Sequence, residues 1–156
     1  DRQELTKMSA PKISVEEQEA LRLSAKTELE RLEAIYADKE VDQLLNEFRG
    51  KYNICEAVYK VVLAEHQRVK GREKTDYLKV TMSQVPYAFN FAGYGFDKAL
   101  LGEIFGASSR NGKTVKKLRD AVSHGIDSKA VQEITDRKAE LFGYMDTFLS
   151  EIRTAA

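Results

Sequence analysis

The sequence predicts an all-α protein, an antiparallel bundle of about five to six helices. Apolar residues recur at three- and four-residue steps through most of the 156 residues, and no stretch alternates apolar with polar residues as a strand would. Only two prolines interrupt the pattern.

Ser14-Val15-Glu16-Glu17 reads as a capping box, in which the serine hydroxyl takes a backbone N–H of the first turn and Glu17 reaches back. It opens a helix with Leu21, Ala25, Leu29, Leu32 and Tyr36 on one stripe. Asp38 starts a second, longer helix whose apolar positions run from Val41 through Leu45, Phe48, Tyr52, Cys55 and Tyr59 to Leu63. His66 stands at the end of that stripe, and the segment 66–74 reads as a polar turn around Gly71. Helical spacing resumes from Asp76 to Phe91, with Pro86 starting or kinking a helix because it has no N–H to donate. Phe89, Phe91, Tyr94 and Phe96, with Gly93 and Gly95, form an aromatic corner, read as core filling in preference to a base-stacking platform.

A short helix, Asp97 to Phe105, closes at Gly106, and the polar loop 107–113 follows. Thr114 caps a helix from Val115 to His124 that stops at Gly125. Asp127 or Ser128 caps one last long helix carrying Val131, Ile134, Leu141, Phe142, Met145, Phe148, Leu149 and Ile152. Residues 1–13 are expected to be a flexible segment and 14–156 a single helical domain. The chain starts without Met, which leaves room for a fragment of a larger protein.

Charged residues make up 32% and apolar residues 42%, a balance unlike that of a disordered chain. No run of about 18 apolar residues marks a membrane span. The one cysteine, Cys55, excludes an intramolecular disulfide and makes a reducing, cytoplasmic location the expectation. Its place on an apolar stripe marks a buried, inert thiol. Two histidines and one cysteine, dispersed in sequence, make no zinc set, so no metal is expected. Gly112-Lys113-Thr114 matches the end of a P-loop, but Ala107 stands where its first glycine should be, and no cofactor is expected either.

Formal net charge is zero, which argues against coating nucleic acid by bulk charge. The distribution is uneven. Residues 1–47 hold twelve acids against seven bases, whereas residues 106–124 hold Arg110, Lys113, Lys116, Lys117 and Arg119 against Asp120 alone. Within that basic stretch lies Arg119-Asp120-Ala121-Val122-Ser123-His124. Asp120 and His124 are four apart, on one helix face, so the carboxylate is placed to orient the imidazole. Arg119 lies roughly 140° round the helix from His124 and must reach across to meet the same substrate. These groups suit RNA cleavage without a metal. An imidazole takes the 2′-OH proton, a second one protonates the leaving 5′ oxygen, and the guanidinium stabilises the phosphoryl charge. One copy has a single such histidine, so a symmetric dimer through the motif region would supply both. Lys116, Lys117, Arg110 and Lys113 are candidate phosphate contacts by proximity. Ser123 reads as bonding back to its own helix.

Arg, a polar residue, three more residues and His, on a short helix before a final long one, resembles the HEPN superfamily (higher eukaryotes and prokaryotes nucleotide-binding). The resemblance rests on Arg119, Asp120 and His124 and on the helical order over most of the chain. It implies a metal-independent endoribonuclease that acts as a dimer, in a toxin–antitoxin or antiphage system, with RNA as substrate and an antitoxin or regulatory domain as partner. The alternative it leaves open is a non-catalytic RNA-binding or dimerisation module of a larger protein. Toxins of this superfamily paired with nucleotidyltransferase antitoxins carry a tyrosine two residues after the histidine. Ile126 stands there, so inactivation at that tyrosine is not expected.

Overall fold

The computed structural model describes residues 13–69, 88–90, 92–107, 109 and 112–154, without the side chains of Gln67, Val69 and Lys98. Residues 1–12 of the flexible segment expected at 1–13, residues 70–74 of the turn expected at 66–74, residues 76–87 and 91 of the helical stretch expected at 76–91, Pro86 included, and Arg110 lie outside them. The described residues include six helices, α1 (Val15–Ala37), α2 (Lys39–Val69), α3 (Lys98–Phe105), α4 (Val115–Ser123), α5 (Ser128–Asp136) and α6 (Lys138–Thr154), a further helical stretch at 88–90, and no strand. None of the described helices is long and apolar enough to cross a membrane.

The chain divides into two units, residues 1–39 and 40–156. In the first, Ser14 caps α1 by accepting the Glu17 N–H at 3.1 Å. The Asp38 N–H closes the far end on the carbonyls of Ala34 and Ile35. None of the residues of α1 is buried, and Leu21, Leu29 and Tyr36 of its apolar stripe are exposed.

In the second unit α2 supplies Leu45, Phe48, Tyr52, Cys55 and Leu63 to the core, following the expected stripe. The helix runs on to Val69, past the point where the sequence places a turn. Glu65 and Arg68, both good helix formers and paired across one turn, carry it forward. Burial pushes the Cys55 thiol up to about 12, consistent with an inert thiol.

Helices α3, α4, α5 and α6 contact one another in the order α4 on α3 and α5, and α6 on α3 and α5. Phe148 of α6 sits at the centre of their aromatic core. Its ring centroid lies 5.6 Å from Phe89, 5.2 Å from Phe96 and 5.4 Å from Phe105. Phe89 and Phe148 are fully buried and Phe96 stacks on Phe148, so Phe89 and Phe96 of the aromatic corner pack on the core.

The single final helix read from the sequence is two. At Arg137 the backbone turns to φ −104° and ψ 18°, between α5 and α6. The Arg137 guanidinium there bonds Glu133, Glu140 (2.8 Å) and the Lys113 carbonyl (2.8 Å). The Lys113 N–H in turn donates to Glu133 at 2.9 Å. One side chain thus ties the start of the motif helix to the α5–α6 junction.

Gly112 fits beside this knot at φ +121°. A methyl group there would stand 2.7 Å from Glu133 Oε2 and 2.8 Å from Arg137 Nη1. Gly112→Ala is expected to destabilise the fold by roughly 1–3 kcal/mol, from backbone strain and loss of the knot. The urea midpoint of unfolding reads this, and an unchanged midpoint would mean the turn relaxes freely.

Candidate functional site

The motif helix α4 is set at both ends. Thr114, fully buried, accepts the Lys117 N–H at 3.3 Å and donates its hydroxyl to the Gly106 carbonyl at 2.7 Å. This is an N-cap that also fastens the helix to the end of α3. Val115, Leu118 and Val122 form its buried face. At the far end His124 is the C-cap at φ −120° and ψ 49°, and Gly125 follows at φ +100°. A glycine takes that left-handed turn without strain. Ile126, buried, then seals the end, and the Asp127 N–H returns to the Ala121 carbonyl at 3.1 Å. The position two residues after His124 is therefore a core position.

Arg119 is drawn inward, with its side chain 22% exposed. Its Nη2 donates to Glu56 Oε2 on α2 at 3.3 Å, and its Cζ lies 4.7 Å from the ring centroid of the fully buried Tyr52. Its Nε stands 3.1 Å from Asp120 Oδ1, close enough for an ion pair but poorly aligned for a hydrogen bond. The remaining amine, Nη1, makes no hydrogen bond among the described residues. Lys60 takes the other oxygen of Glu56 at 3.2 Å, and Lys116 lies 3.9 Å from Asp120. Charges alternate along this chain, Lys60–Glu56–Arg119–Asp120–Lys116. Burial pushes the Tyr52 phenol far up, and Glu56 adds to that while Arg119 opposes it.

The bond expected from Asp120 to His124 is not made. Asp120 pairs instead with Arg119 and Lys116, the latter one turn the other way on the same face. His124 is exposed and makes no hydrogen bond among the described residues. Ser123 bonds back to the Arg119 carbonyl at 2.7 Å, as read from the sequence. Lys113 and Lys117 are exposed, and their ammonium groups have no partner among the described residues.

Three residues of α2 that the sequence reading passed over hold this helix. Arg49 donates to the Val122 carbonyl at 2.8 Å, capping the end where His124 stands. Tyr52 lies under Arg119 and Glu56 binds it. Their steps of three and four put them on one face of α2, and opposite charges seven apart beside a core tyrosine were the available signal. Elsewhere a cavity of about 320 Å³ is lined by Val61, Val62, His66, Ala88 and Tyr94 among others, and none of the motif residues borders it.

No protein-family model, no curated protein and no solved structure matches this chain.

Proposed function

We propose that the chain is a metal-independent endoribonuclease of HEPN type, cleaving RNA by attack of a ribose 2′-OH on the adjacent phosphorus. The observation that carries this reading is an exposed His124, without a hydrogen bond among the described residues, at the C-cap of the nine-residue helix that holds Arg119. Lys113, Lys116 and Lys117 add positive charge along the same helix and its entrance. In a symmetric dimer one His124 takes the 2′-OH proton as the 2′-O–P bond forms. The His124 of the second copy protonates the 5′ oxygen as the P–O5′ bond breaks. Arg119 stabilises the charge gathered on the phosphoryl oxygens. The products are a 2′,3′-cyclic phosphate and a 5′-hydroxyl. Toxin–antitoxin or antiphage defence in the cytoplasm, with an antitoxin or regulatory domain as partner, is the setting that accompanies this proposal.

The ion pairs of Asp120 favour a second reading, a non-catalytic RNA-binding or dimerisation module. A carboxylate engaged with Arg119 and Lys116 leaves the imidazole without an orienting group.

Purified protein is expected to cut single-stranded RNA in the presence of EDTA and to leave cyclic phosphate ends. Arg119→Ala should slow this by about 100-fold or more, the usual loss when a donor to transition-state charge is removed. A varied RNA pool left intact by folded, dimeric wild type would rule out the nuclease and leave the module.

A further inference from the structure

The Arg119 guanidinium meets Glu56, Tyr52 and Asp120, and its Nη1 makes no hydrogen bond among the described residues. We propose that Glu56 is the positioning residue for Arg119, fixing its guanidinium over Tyr52 so that Nη1 alone is presented to an RNA phosphate. The inference rests on the endoribonuclease reading and extends it to a residue 63 positions away in sequence.

Glu56 has the means to do this. Its Oε2 accepts from Nη2 at 3.3 Å, while Lys60 holds Oε1 at 3.2 Å and so limits rotation of the carboxylate. Glu56 and Arg119 are each about one-fifth exposed, so water competes weakly for the contact. Tyr52 sets the plane, with its ring 4.7 Å from Cζ, and its own burial leaves it no room to move. Asp120 sits at Nε, 3.1 Å away, and adds an ion pair at that edge of the guanidinium. An unrestrained arginine on an exposed helix would sample many rotamers, and each wrong one misplaces the donor relative to the phosphate. A guanidinium locked before substrate arrives has already lost that freedom. Its effect should then fall on the rate at saturation more than on the substrate concentration that half-saturates it.

Glu56→Gln keeps the shape of the side chain and removes its charge. Two measurements on the full chain read the outcome. The first is solvent exchange of the Arg119 Nε–H, followed by NMR and assigned by the loss of its signal in Arg119→Lys. Exchange should accelerate by about tenfold or more in Glu56→Gln, because the side chain opens more often. The second is single-stranded RNA cleavage, where the saturating rate should fall about 10- to 100-fold with KM within about threefold. Unchanged exchange would overturn the positioning role. An unchanged or increased cleavage rate would do the same, the increase showing Glu56 to be a restraint on Arg119. If wild type leaves RNA intact, the nuclease reading falls by itself, and the exchange measurement still decides whether Glu56 fixes Arg119. Should Glu56→Gln fail to fold, Glu56→Asp, which keeps the charge and retracts it by one methylene, carries both measurements with effects of the same sign.

Discussion

Replacing His124 by alanine is expected to abolish RNA cutting, with a loss of at least about 100-fold and no loss of fold. A positioned general base or acid contributes roughly 10²–10⁴ in rate. In a composite site His124 would fill both roles from two copies, so a single substitution deletes both. It is exposed and makes no hydrogen bond among the described residues, so unfolding free energy should change by less than about 0.5 kcal/mol. Mixing adds a sharper reading. Equal amounts of wild type and His124→Ala, allowed to exchange subunits, would place both histidines in about one quarter of dimers. Activity near one quarter of that of an all-wild-type sample supports a shared site. Activity near one half would mean that each protomer works alone, and residual cutting within tenfold by the pure variant would remove His124 from the mechanism.

Phe148→Ala should cost about 3–5 kcal/mol, the range for deleting a fully buried aromatic side chain. Its ring meets those of Phe89, Phe96 and Phe105, so the loss reaches α3 and the aromatic corner as well as α6. Phe148→Leu retains most of the volume and should cost much less. Denaturant unfolding followed by circular dichroism measures both. A loss below about 1 kcal/mol for the alanine form would show that the cluster closes over the gap, contrary to the packing described.

The motif helix was legible because its boundaries are written locally. Thr114 and Gly125 mark them by cap chemistry, and Val115, Leu118 and Val122 show the helical period. The break at Arg137 was not legible. Ile134 and Leu141 keep the period across it, and arginine favours helix, so nothing nearby signals a stop. The interruption arises where Arg137 reaches the carbonyl of Lys113, 24 residues back. Asp120 shows a subtler limit. His124 and Lys116 are both four residues away, and spacing alone ranks neither. A permanent positive charge on each side, Arg119 and Lys116, draws the carboxylate away from His124. Glu56, Tyr52 and Arg49 were hard to assign to the site for a plainer reason. They meet α4 only once α2 packs beside it, and the charge spacing along α2 does not name a partner 63 to 73 residues away.

The knot around Arg137 also bears on where the protein tolerates alteration. By composition the 107–113 segment, polar and glycine-bearing, is an inviting place to splice in an epitope or a fluorescent reporter. Its last residue is clasped through both its N–H and its carbonyl, and the Thr114 hydroxyl next to it is bonded to Gly106. Inserted sequence at that end would pry open the seat of the motif helix. A label placed after Thr154 avoids the clasp.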